Sequence, residues 1–101
     1  MAPVTLALVN GRIRTGDPRR PVADAIAVDG ARLALVGSSA EVRKLAGPAA
    51  RVVDLRGAML RAVPPDAVLR RGEVASVTVT APDARELFRM VNGVIELDVL
   101  P

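Results

Sequence analysis

The sequence predicts a small, mainly β protein: a folded sheet or sandwich carrying one short helix. Three observations lead there. Half of the chain is hydrophobic, and Val, Leu, Ile and Ala supply most of that half, a composition that suits pleated, half-buried surfaces. Short apolar runs are separated by Asn-Gly and Asp-Gly pairs, the strongest local hairpin signals. One segment only, near residues 39–46, carries both a helix start and a helix stop.

Taken in order, Thr5–Val9 and Arg12–Thr15 flank Asn10-Gly11 and predict a first hairpin through a type I′ turn. Gly16–Pro21 contains two prolines and reads as a surface loop. A second hairpin is predicted from Ala25–Val28, Asp29-Gly30 and Ala31–Val36. Ile26 and Val28 alternate with alanine, as do Leu33 and Leu35, so one face is expected to be large and the other small. Ser38 and Glu41 have capping-box spacing, Val42, Leu45 and Ala46 form an apolar stripe, and Gly47-Pro48 ends the helix. Arg51–Leu55 predicts a strand, Ala58–Leu60 a short one, Pro64-Pro65 a connection, Ala67–Leu69 a further short strand and Val74–Thr80 a clear one. Leu87–Val91, Asn92-Gly93 and Val94–Leu97 complete a third hairpin. The inventory is roughly seven to nine strands in an antiparallel-rich sheet, expected as one domain over 1–101.

Composition narrows the function. Phe88 is the one aromatic, so stacking platforms for single-stranded nucleic acid or sugars are not expected. The net charge is only +3, and thirteen arginines with Lys44 are interleaved with acids, which reads as a solvated surface rather than a phosphate-binding patch. Nucleic acid is therefore an unlikely partner. No apolar run approaches the ~20 residues that span a bilayer, and Met1–Val9 has no basic leader, so no membrane segment and a cytoplasmic location are expected.

The chain contains neither His nor Cys, so thiolate nucleophiles, disulfides and imidazole- or thiolate-bound zinc are not available within it. Asp17, Asp24, Asp29, Asp54, Asp66, Asp83 and Asp98 show no Ca²⁺-loop spacing and read as turn formers. Ser38-Ser39 has no histidine base and reads as a helix cap. The glycines form no phosphate-cradling run. No catalytic, cofactor-binding or metal-ligating residue is assigned, and no cofactor is expected.

The succession Leu8-Val9-Asn10-Gly11-Arg12-Ile13, Ala25-Ile26-Ala27-Val28-Asp29-Gly30, Leu35-Val36-Gly37, the helix, and Val53-Asp54-Leu55-Arg56-Gly57 resembles the start of the metal-dependent amidohydrolases, over roughly residues 4–60. Gly72–Thr80 is similar to that family's strand after the catalytic barrel, and Phe88–Ile95 to its closing hairpin, although Ser76 stands near where the family carries an acid. The resemblance implies a composite β-domain, with 1–60 as its pre-barrel half and 72–101 as its post-barrel half. Where the family would enter an Asp-x-His-x-His metal motif and its barrel, Arg61–Arg71 bridges the two halves instead. Lys44, in a charged helix, is expected to be solvated rather than a carbamylated metal ligand.

The expectation is that the isolated chain is not an enzyme but an amidohydrolase-related, protein-binding or self-associating β-domain, with a homo-oligomer or a separate barrel-containing protein as partner. The alternatives are the non-catalytic subunit of a split amidohydrolase acting on C–N bonds, or an inert truncated remnant of one.

Overall fold

A computed structural model of the protein describes residues 4–100; residues 1–3 and 101, which the expected single domain includes, lie outside the described residues. The strands are β1 Leu6–Val9, β2 Arg12–Arg14, β3 Val22–Ala23, β4 Ala25–Asp29, β5 Arg32–Gly37, β6 Arg51–Asp54, β7 Met59–Ala62, β8 Val77–Thr80, β9 Glu86–Val91 and β10 Val94–Asp98, with one helix, α1, at Ser39–Leu45. They form two sheets, ordered β5-β4-β1-β6 and β10-β9-β8-β7-β2-β3. The mainly β fold with one short helix is as the sequence predicts.

The main core lies between the sheets. Leu6, Leu8, Ile26, Val28, Leu33 and Val53 of the four-stranded sheet meet Ile13, Leu60, Val77, Val79, Phe88 and Met90 of the six-stranded one. β1 and β4 are also covered behind, where Ala7, Val9, Ala25 and Ala27 pack under Val42 of α1. Burial on both faces explains why β1 reads Leu-Ala-Leu-Val without a polar residue. Alanine on the rear face leaves room for the helix. β2, β7 and β8 instead alternate buried with exposed or half-exposed residues, as strands with one uncovered face do.

α1 forms where its caps dictate. The Ser38 hydroxyl accepts from the Glu41 amide at 3.1 Å, and the Glu41 carboxylate accepts from the Ser38 amide at 3.1 Å.

The first predicted hairpin does not form. β1 pairs with β4 and β6 in one sheet, whereas β2 pairs with β3 and β7 in the other. A type I′ turn needs positive φ at both central residues. Asn10 has φ 57°, but Gly11 is not among the positive-φ residues. Its amide instead donates to the Asp24 carbonyl at 2.8 Å, carrying the chain from one sheet into the other. β6 and β7 make the same crossing alongside, so β1·β6 and β2·β7 are parallel pairs within an otherwise antiparallel fold.

The second hairpin is present with a one-step shift. Asp29 pairs with Arg32, so Gly30-Ala31 is the loop, with positive φ at Gly30. A bulge between Ala27 and Val28 places Leu35 opposite Ala27 and Leu33 opposite Val28. Leu33 therefore enters the main core while Leu35 packs against the cluster under α1, rather than sharing one face as expected. The third hairpin forms through Asn92-Gly93, with φ of 51° and 79°.

The connection from 63 to 76 also differs from the expected pattern. Ala67–Leu69 is not a strand: the Ala67 amide turns back to the Pro64 carbonyl, and the Leu69 amide reaches Thr15 at 2.7 Å. Of Val74–Thr80, only Val77–Thr80 enters the large sheet. The preceding residues run along the open edge of β5, where Gly72 donates to Leu33, Leu33 to Glu73 and Ala75 to Ala31. These bonds cover an edge that would otherwise present free backbone groups. In the loop after β2, Asp17 is buried rather than exposed, because its amide bonds the Thr15 hydroxyl and its carboxylate accepts from the Arg19 amide.

Candidate interaction surface

The two sheets differ in what covers their outer faces. α1 packs on β1, β4 and β5 of the smaller one, whereas on the larger the outward residues of β2 and the outward Met59 and Arg61 of β7 are exposed. Side chains that alternate with the core in β2 and β7 therefore point outward. Arg12 and Arg14 lie on either side of buried Ile13, and Met59 and Arg61 on either side of buried Leu60. The parallel register sets Arg12 beside Met59. Arg14, Arg61, Met59 and Pro65 line one open depression, and Arg12, Arg61, Met59 and Thr80 line its neighbour. Arg14 also borders Val22, which is 68% exposed on the edge strand.

Arg12, Arg14 and Arg61 take no part in the ion pairs found among the described residues, which join Arg20 to Glu41, Arg51 to Asp98, Arg70 to Glu73 and Arg89 to Glu86. Arg61 Nε reaches only the Met59 sulfur, at 3.2 Å, a weak acceptor. Two acids beside this face are engaged: Asp24 lines a depression with Arg12 and Arg14, and Glu86 stands opposite Thr80. Glu86 accepts from Thr78 Oγ1 at 2.6 Å and from Arg89 Nε at 3.0 Å. Asp24 accepts both the hydroxyl and the amide of Ser39, at 2.7 and 3.0 Å.

The polar residues singled out by sequence have structural partners. Ser38 caps α1, and Ser39 links Asp24 to the Asn10 amide, which donates to its hydroxyl at 2.9 Å. Asp54 accepts from Asn10 Nδ2 and the Arg56 amide, so these groups tie the sheet crossings to the start of the helix. Lys44 is exposed on α1. Among the described residues no three acidic side chains gather into a cluster that could hold a metal ion, and no helix is long and apolar enough to cross a membrane.

Hydrogen bonds from Ser39 hold the Asp24 carboxyl below its ordinary range, those from Arg56 and Asn10 do the same for Asp54, and the Arg51 guanidinium does so for Asp98. A carboxyl whose folded pKa is depressed stabilises the fold fully above its unfolded value, and that contribution is lost as pH falls through the folded value. The melting temperature is expected to be level near neutrality and to drop below about pH 4. Asp24→Asn should lower the plateau and shrink the drop. An unchanged acid limb in that variant would rule out Asp24 as a contributor.

The chain is similar to part of a known enzyme. Over 79 residues it is 38% identical to an N-substituted formamide deformylase of Arthrobacter pascens, a match that takes in 78% of this chain. It spans only 14% of the deformylase. No protein-family profile matches the chain, and no solved structure does.

The arginine face was not legible as a cluster, because Arg12 and Arg14 are separated from Arg61 by more than forty positions. The available signal was local: in Arg12-Ile13-Arg14 and Met59-Leu60-Arg61, a core aliphatic sits between outward residues. Which strands are neighbours is a matter of topology.

Proposed function

We propose that this chain is a non-catalytic β-domain related to the amidohydrolases, which acts by associating with protein through the uncovered face of its six-stranded sheet. The observation that carries the reading is that face: a broad sheet surface with Arg12, Arg14, Arg61 and Met59 outward, on a chain similar to a small part of a deformylase. Methionine and arginine are enriched in protein interfaces, and lysine is depleted. Neither His nor Cys occurs in the 101 residues, so imidazole- or thiolate-bound metal chemistry would have to come from outside them. In this reading 1–60 and 72–101, bridged by 61–71, form one composite unit whose partner is a second copy or a separate barrel-containing protein.

A second reading, that the chain completes a split hydrolase acting on C–N bonds, draws on the match to 14% of the deformylase. One pair of experiments separates the two. Light scattering across a concentration series should show a mass rising above that of the monomer if copies associate. Capture of the tagged chain from its native cells, with mass spectrometry and a metal-dependent hydrolysis assay of the eluate, should recover an active barrel protein if the enzyme is split. Met59→Asp, at the centre of the face, is expected to weaken either association by at least about tenfold. A strict monomer that captures nothing, or an association indifferent to Met59→Asp, would defeat the proposal.

A further inference from the structure

We infer that the partner surface met by this sheet is acidic, and that Arg14 and Arg61, with Arg12 beside them, recognise its carboxylates. The inference rests on the association reading above and adds the chemistry of the partner. Arg14 and Arg61 flank the same depression on adjacent strands, and Arg12 shares the next one with Arg61. Like charges on neighbouring strands of one face are destabilising. Among the described residues no acid forms an ion pair with these three. Asp24 and Glu86 are committed to Ser39 and to Thr78 and Arg89, and Asp66 and Asp83, which follow Pro65 and Pro82 at the rims of the two depressions, make no ion pair with them either. The face thus has unspent guanidinium donors, whose planar forks match carboxylates in a bidentate way.

The apolar part of the face decides between an acidic protein and a nucleic acid. Met59 is 38% exposed between the arginines and Val22 is 68% exposed at the edge, offering apolar contact such as a protein interface uses. A single-stranded nucleic acid would need an aromatic platform, and the one aromatic, Phe88, is fully buried in the core. The predicted partner surface therefore carries Asp or Glu side chains around a small apolar contact.

The test titrates the ¹⁵N-labelled full chain with a synthetic oligo-glutamate peptide and, separately, with a charge-matched oligo-thymidylate. Oligo-glutamate should bind saturably, perturb the amides of β2 and β7, and weaken as salt is raised. Arg14→Gln/Arg61→Gln should lose about tenfold in affinity, while Arg43→Gln/Arg71→Gln, which removes the same charge elsewhere, should lose less than about twofold. Both variants are exposed changes, and their melting curves report folding directly. Equal losses in the two variants, perturbations away from β2 and β7, or tighter binding of the oligo-thymidylate would each overturn the inference. A protein association lost in Met59→Asp but kept in Arg14→Gln/Arg61→Gln would overturn it while leaving the association reading intact. Failure of the association reading itself would show instead as a monomer with no partner.

Discussion

Phe88→Ala is expected to destabilise the fold by about 3–5 kcal/mol, the range for emptying a buried aromatic site. Phe88 lies in β9 opposite Val79, is fully buried, and is among the largest side chains in the core between the sheets. Its neighbours are aliphatic, so no other ring can shift to fill the space. For a domain of about this size, total stability is about 5–15 kcal/mol, so the variant should lose a large share of it. Phe88→Leu keeps most of the volume and should cost less than about half as much. Urea unfolding followed by circular dichroism measures both. A shift under about 1 kcal/mol for Phe88→Ala would mean that the core does not depend on this ring.

Gly93→Ala should be nearly as damaging, for a different reason. A Cβ built there would lie 2.4 Å from the Gly30 carbonyl oxygen and 2.5 Å from the Ala31 Cα, both backbone atoms that cannot swing aside. The tips of the second and third hairpins meet at this point. The backbone is also left-handed at Gly93, with φ 79°. Strain in φ contributes about 1–2 kcal/mol and the clash about 1–3 kcal/mol more. Gly57 supplies the control. Its φ is 82°, but a Cβ there would meet nothing within 4 Å, so Gly57→Ala should show the φ strain alone. At about 4–8 °C of melting temperature per kcal/mol, thermal unfolding resolves the difference. Equal losses in the two variants would remove the steric part of the explanation.

The tripeptide Val-Asn-Gly marks how far the sequence could be read. It occurs at Val9–Gly11 and Val91–Gly93. At the second position both Asn92 and Gly93 take positive φ and the chain folds back as a hairpin. At the first, only Asn10 does, and Gly11 passes close to Leu55, whose Cδ1 would lie 2.7 Å from an added Cβ. The local code is the same, but the first copy has a parallel neighbour, the Leu55–Ala58 crossing: the Val9 and Asn10 carbonyls accept from the Leu55 and Gly57 amides, and the Gly11 amide donates to Asp24, rather than bonding within a turn. Likewise Leu33 and Leu35 look alike in the alternating pattern, and only the bulge opposite Ala27 separates them into different clusters.

By itself the sequence determined the β class, the helix with both halves of its capping box, and the hairpins over 25–36 and 87–97. These depend on contacts a few residues apart, where side-chain period, caps and turn residues act directly. Composition also shows that neither imidazole nor thiolate is available in the chain. The tertiary structure decided that β1 and β2 part into different sheets, that β6 and β7 run parallel beside them, and that Arg12, Arg14 and Arg61 share an uncovered face. Those outcomes depend on pairings between residues some forty-five positions apart, such as Leu6 with Arg51 and Arg12 with Met59. Such pairings are chosen by the burial of both sheets together, and no local pattern encodes that choice.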